Sequence, residues 1–324
     1  MLQIISGGHL PMRTSVSICV VAAIAAGFAN SSTSLAAGTW TSGAPLPEPV
    51  TWSTAAVLDK LIYVIGGIGT SNAAVSTVEI YNPATNTWSA GTSLPQAVFG
   101  ATAAVVGKTL YVFGGYCPNA CNAVWAYNAK KKTWSAKAPM LTPQGSARAV
   151  VSNDIVYVIG GNTTDLQRIT TVESYNPSTN TWTQEAPLLV GKSEISAGVI
   201  GDAIIAADGY TTSGDTGDNE TYEIQTNAWT SLAPDPTPRN GSCTGVIGGK
   251  LYVSDGDNDS NNPISVNESF SPTANKWTSV AKAPQTVTDM SFDVYGGKLY
   301  CIGGGSTAIP MQGSVYDYVQ IFEP

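Results

Sequence analysis

Few residues in this chain could do chemistry. Arg148, Arg168 and Arg239 are, with Arg13, the only arginines, and each offers a planar fork of donors suited to a carboxylate or a phosphate. Lys192 adds a further cation, and Trp52 offers a flat face for a sugar ring or an apolar side chain. Glu194 and Asp289 are carboxylates able to act as acid or base. In Asp255-Gly256-Asp257-Asn258-Asp259 the carboxylates fall at alternate positions, a spacing that can converge on calcium. The twelfth position of that run is Val266 instead of glutamate, and Asx-rich turn chemistry accounts for the run as well. Apart from calcium, the sequence implies no cofactor.

The single histidine is His9, inside an N-terminal segment that reads as removable. Arg13 precedes a small and apolar run over residues 16–29, and Ser34-Leu35-Ala36-Ala37 supplies small residues for cleavage. The run is too short to span a bilayer and fits a secretory signal over residues 1–37, with an uncleaved anchor as the alternative. The mature chain, residues 38–324, is then expected to be secreted, periplasmic or at the cell surface, without membrane insertion. Losing His9 excludes Ser-His-Asp triads and histidine-bound copper or zinc.

Four cysteines follow the signal. Cys117 and Cys121 share one loop, where an oxidising compartment favours a local disulfide. Cys243 and Cys301 read as free, buried thiols. Net charge is −8, and from Asp202 to Glu268 eleven acidic residues face only Arg239 and Lys250. Nucleic acid and anionic membranes are therefore not expected as partners.

The elements that must position these residues repeat. Trp40, Trp88, Trp134, Trp182, Trp229 and Trp277 are separated by 48, 46, 48, 47 and 48 residues. Gly66-Gly67, Gly114-Gly115, Gly160-Gly161, Asp208-Gly209, Asp255-Gly256 and Gly303-Gly304 keep step, as do Tyr81, Tyr127, Tyr175, Tyr222 and Phe270, each seven residues before a tryptophan. Such a period indicates an array of like units. In the first copy, residues 51–58, 61–65, 75–81 and 87–90 read as strands between turn clusters, giving four strands per repeat and almost no helix.

Gly-Gly, then Tyr, then Trp, as in YVIGG…EIYNPATNTW, resembles the kelch repeat, over about residues 39–324. The resemblance implies an all-β fold, a six-bladed kelch-type β-propeller with one repeat per blade, and departs from the family at Asp208 and Asp255. The chain ends after a strand-three pattern, 319–324, and the missing tryptophan strand stands at its beginning, residues 39–42. Pairing the two would seal the ring and leave no open edge.

In kelch propellers the strand two-to-three loops and the interblade linkers share one face. That arrangement puts Arg148, Arg168, Lys192 and Arg239 on the loop side, with Glu194 at the repeat position of Trp52 and Asp289. A pocket at the loop-side mouth of the channel is expected from Trp52, Arg148, Lys192, Glu194, Arg239 and Asp289, with structural salt bridges between blades as the competing role. The resemblance implies a binding module for a protein, peptide or glycan on the loop face. The alternative is a metal-free sugar isomerase or epimerase similar to N-acetylneuraminate epimerase, an analogy under which Glu194 or Asp289 beside Arg148 would serve in proton transfer at a sugar carbon. The copper chemistry of kelch-type galactose oxidases needs histidine ligands that the mature chain lacks.

Overall fold

The computed structural model describes residues 37–309 and 311–324; the segment read as a signal lies, but for Ala37, outside them. Every named element among the described residues is a β-strand. They form six antiparallel four-stranded sheets and two small ribbons. Blade one is built from Thr54–Leu58, Leu61–Ile65, Val78–Asn82 and Thr87–Ala90, in that spatial order. The order recurs in blades two to five, whose innermost strands are Thr102–Val106, Arg148–Ser152, Ser196–Ile200 and Cys243–Ile247. Blade six comprises Ser291–Tyr295, Lys298–Ile302 and Val319–Glu323, and its outer strand is Thr39–Ser42, with Trp40 opposite Phe322 and Thr41 opposite Ile321. Innermost strands of successive blades neighbour one another, and blade six neighbours blade one.

The core lies between blades. Strand two is mostly apolar and, past its first residue, buried in every blade, as in Leu61–Ile65 and Ile155–Ile159. Six buried clusters result, each joining two adjacent blades. One packs Ala56, Tyr63 and Ile65 of blade one against Leu110, Val112 and Tyr127 of blade two. Another joins Ile302 and Val319 of blade six to Ile62 and Tyr81 of blade one.

A polar belt runs outside this core. The indole N–H of Trp88 donates to the Ala44 carbonyl at 2.9 Å, Trp134 to Thr92 at 2.8 Å and Trp182 to Ala138 at 2.9 Å. Trp229 donates to Ala186, Trp277 to Ala233 and Trp40 to Ala281, at 2.9, 2.9 and 2.8 Å. Each tryptophan thus ties its blade to the linker that leaves the blade before it. Two residues ahead of four of these tryptophans, Asn86, Asn180, Asn227 and Asn275 adopt positive φ, a conformation asparagine tolerates. Their amide oxygens accept from the same linkers: Ala44, Ala138, Ala186 and Ala233 donate N–H bonds at 2.6 to 2.9 Å. The hydroxyls of Tyr81, Tyr175 and Tyr222 donate to the first three of those asparagines.

The glycine pairs serve a close crossing. At Gly66 (φ +62) a Cβ would meet the Val98 carbonyl at 2.5 Å, and at Gly67 (φ +103) the Thr51 carbonyl at 2.6 Å. Just beyond the pair, each strand two-to-three loop bridges to the incoming linker: Tyr116 to Phe99, Asn162 to Gly145, Tyr210 to Ser193, Asp257 to Asn240 and Gly305 to Thr288. Linkers and these loops therefore form one face.

Cys117 and Cys121 are joined within the blade-two loop. Cys243 and Cys301, expected as free thiols, are also joined, with Cα atoms 5.7 Å apart. The correction has a simple cause. Cys243 opens strand one of blade five and Cys301 lies in strand two of blade six, so the interface between those blades brings together residues 58 apart in sequence.

Candidate functional site

Two residues before each innermost strand lies a left-handed position: Trp52, Gly100, Ser146, Glu194, Gly241 and Asp289, with φ between 52° and 62°. Main-chain bonds link five of the six neighbouring pairs around the axis. Gly100 N–H donates to the Trp52 carbonyl at 2.9 Å, Ser146 to Gly100 at 2.8 Å, Glu194 to Ser146 at 2.9 Å, Asp289 to Gly241 at 2.9 Å, and Trp52 to Asp289 at 3.0 Å. The result is a collar at the loop-side mouth of the channel. A positive φ is strained for a bulky side chain, costing of order 1–3 kcal/mol, and residues so held cluster at functional sites. Trp52 and Glu194 are held this way by the collar.

The collar surrounds a cavity of about 90 Å³ whose lining includes Trp52, Ser146, Arg148, Glu194, Asp289 and Phe292. A second cavity of about 410 Å³ continues down the channel between alanine, valine and glycine residues. Arg148 and Phe292 border both. The Arg148 guanidinium reaches from blade three across to blade six, where it lies 4.1 Å from the Phe292 ring centre. This contact floors the mouth. Burial pushes the Arg148 pKa down to about 10, opposed by Asp293. The Asp293 carboxylate in turn accepts the Val57 N–H at 2.7 Å.

The mouth is two-sided. On one side Trp52 meets Phe99 edge-on at 6.3 Å, and Phe99 stacks on Tyr116 at 5.0 Å; the Tyr116 hydroxyl accepts from Asn162 at 3.1 Å. On the other side carboxylates gather. Burial raises Glu194 to about 7, with Arg168 lowering it and Asp215 raising it. Asp257 stands at about 9, chiefly through burial and then Glu194 and Asp215. Asp215 stands at about 6 by burial, tempered by Asn240. Asp289 is raised well above the carboxylate range by burial and by Glu194 and Asp257. Thr288 and Trp52 lie close enough to offset part of that rise, yet the Trp52 Nε1–H makes no well-aligned bond. Asp289 Oδ2, Asp257 Oδ1 and Arg148 Nε are likewise buried without partners.

Of the residues expected at the mouth, Trp52, Arg148, Glu194 and Asp289 line it. Arg168 stands beside them, its guanidinium 4.6 Å from the Tyr210 ring centre and close enough to act on Glu194. Lys192 and Arg239 do not reach it. Both are fully buried within the blades. Lys192 pairs with Glu220 at 3.3 Å and donates to the Ala206 and Asp218 carbonyls. Arg239 pairs with Glu268 and Asp235 and donates to the Val266 carbonyl. These cations face Asp208 and Asp255, which stand where other blades carry the first glycine of the pair. The physical reason is charge: an aspartate buried at that crossing needs a cation nearby.

Asp255, Asp257 and Asp259 take different surroundings. Asp255 lies by Arg239, Asp257 faces Glu194 and Thr288, and Asp259 accepts the Asp215 N–H at 2.6 Å. Among the described residues no group of three or more His, Cys, Asp or Glu side chains is arranged to hold a metal ion. Ser146, which lines the mouth, and Asp215 and Asp257, which lie behind Glu194, are not marked as site residues of the mouth by sequence. Ser146 shares the repeat position of Trp52 and could have been found there; Asp215 and Asp257 sit in loops of unequal length, where alignment gives no register.

Comparison with known proteins bears on the repeat. The KLHDC2/KLHL20/DRC7 Kelch-repeats domain matches residues 33–188, and the Kelch motif matches residues 238–284. The chain is a kelch-repeat protein. A solved structure described as "Structure of YjhT" superposes with a TM-score of 0.73 at 18% identity, covering 86% of this chain and 96% of that one. At that identity the likeness concerns the fold alone. No curated protein matches the sequence. Kelch propellers serve in general as protein-interaction modules. No helix among the described residues is long and apolar enough to cross a membrane.

Proposed function

We propose that the protein is an exported binding module that recognises a protein, peptide or glycan through the collar mouth on its loop face. One observation carries the reading: Trp52 Nε1, Arg148 Nε and Asp289 Oδ2 are buried, unpartnered and border the same cavity. Groups left so in an interior are costly, and a ligand that pairs with them recovers that cost. Export is supported by the signal-like N-terminus and by two disulfides, which persist in oxidising compartments.

The test is retention of ligands from glycan and peptide arrays by the wild-type chain and by Trp52→Gly. Glycine already occupies the equivalent position at Gly100 and Gly241, so the variant keeps a native circular-dichroism spectrum. A ligand of the mouth should lose at least about tenfold in affinity, roughly 1.4 kcal/mol. Binding indifferent to the substitution places recognition elsewhere.

A second reading is favoured by the neighbouring Glu194 and Asp289. A glutamate poised at about 7 beside a more strongly protonated aspartate is a base and an acid across one cavity. Epimerisation or isomerisation of an acidic sugar, held by Arg148, would use that pair. Glu194→Gln should then abolish turnover and leave the fold intact; turnover that survives it removes the reading.

A further inference from the structure

We infer that the mouth selects a basic side chain, the lysine or arginine of a partner peptide, with its stem against the aromatic side and its charged head among the carboxylates. The inference deepens the reading of the mouth as a binding site and rests on it. Its geometry is the two-sidedness already described. Trp52, Phe99 and Tyr116 form a continuous aromatic flank, and Glu194, Asp257 and Asp289 interact with one another beside it, Glu194 acting on Tyr116 as well. Trp52 belongs to both sides, since it also lies against Asp289. A flexible alkyl stem ending in a cation matches that order of surfaces, because apolar carbons cover aromatic faces and a cation is attracted both by ring faces and by carboxylates.

The unpartnered atoms point the same way. Asp289 and Asp257 are 7% and 0% exposed, and each has a carboxylate oxygen with no donor. Like charges so close cannot all ionise without a cation among them. The fixed cations nearby do not fill that role. Arg148 lies over Phe292 at the floor and is drawn to Asp293. Arg168 acts on Glu194 but is held over Tyr210 and donates to the Leu166 carbonyl at 2.7 Å. The cavity suits one side-chain head, and a peptide is favoured over an amino sugar by the apolar rim beside it. Leu166, Leu189 and Val190 are exposed on the blade-three loop and the linker that runs along it, and they would cover the apolar neighbours of the basic residue.

The groups facing this site also set its pH response. Glu194 and Asp215 stand at about 7 and about 6, Asp257 and Asp289 higher, with Arg148 at about 10, Arg168 beside Glu194 and Asp259 behind Asp215. A bound cation favours the ionised carboxylates, so affinity rises with pH through this range and protons leave on binding.

Calorimetry on the full chain decides the matter, with capped leucyl-lysyl-leucine, leucyl-glutaminyl-leucine and leucyl-glutamyl-leucine peptides and a glucosamine oligomer. The lysyl peptide should bind at least about tenfold tighter than the glutaminyl one at about pH 8, and that margin should shrink at about pH 5. Glu194→Gln should erase most of the margin, whereas Glu223→Gln, on an exposed strand end of blade four, should leave it. Equal binding of lysyl and glutaminyl peptides, or preference for the glutamyl peptide, overturns the cation inference; the binding site itself survives if Trp52→Gly abolishes that binding. Retention of the glucosamine oligomer alone overturns the peptide assignment. Absence of binding by every probe overturns the inference, and the array experiment then judges the mouth by itself.

Discussion

Arg239 shows how one side chain can govern a neighbourhood. It is fully buried, pairs with Glu268 and Asp235, and moderates Asp208 and Asp255 from close range. Arg239→Met keeps much of the volume and removes the charge. The carboxylates left behind have no other strong partner in blade five, so urea unfolding at neutral pH should register a loss of about 3–5 kcal/mol. At acidic pH the loss should shrink, because protonated carboxyls no longer need the cation. A constant penalty across pH would show that Arg239 acts by packing alone. The aspartates were visible in the sequence as departures from Gly-Gly, but their link to Lys192 and Arg239 was not. From sequence the linker cations read either as pocket residues or as structural salt bridges, and the crossing of linker and strand that buries them decides for the second.

The element-scale unit is a blade together with the linker its tryptophan holds. Gly-Gly, tyrosine and tryptophan announce the blade, and the apolar runs between turn clusters give its four strands, although the first and third begin at Thr54 and Val78, later than those runs do. Asn86, Asn180, Asn227 and Asn275, each two residues before a tryptophan, keep the register of the other landmarks, but the sequence does not display what they bind. Their role needs the neighbouring blade, which a single repeat does not display. Blade two lacks this residue: Lys132 takes the positive φ there (53°) and offers no amide. Lys132→Asn should therefore stabilise the chain by about 0.5–1 kcal/mol, since it supplies an acceptor for the Thr92 linker and the Tyr127 hydroxyl at a conformation asparagine prefers. A lower denaturant midpoint for this variant would falsify the account of the belt. The Cys243–Cys301 bond is illegible in the sequence for a related reason, since neither residue's own blade contains its partner.

For the whole molecule, two properties follow from how the ring is assembled. The strand Thr39–Ser42 covers the edge of Val319–Glu323, and Trp40 ties it to Ala281. Removing residues 38–48 should expose that edge and lower the melting temperature sharply in calorimetry. The second property is a pH dependence. Asp255 and Asp257 titrate at about 8 and about 9, and Glu194 at about 7, against about 4 for carboxylates in an unfolded chain. Between those limits the folded chain holds protons that the unfolded chain releases, so stability falls as pH rises from about 4 towards 8. Melting temperature should be higher at about pH 5 than at about pH 8; the reverse order would mean that these acids ionise freely in the native state. The collar carries a different kind of consequence. Its six stations are fastened through main-chain atoms, while their side chains are free to be tryptophan, glycine, serine, glutamate or aspartate. A frame that is indifferent to its own lettering can be rewritten, and exchanging these stations offers a route to new specificities on an unchanged ring.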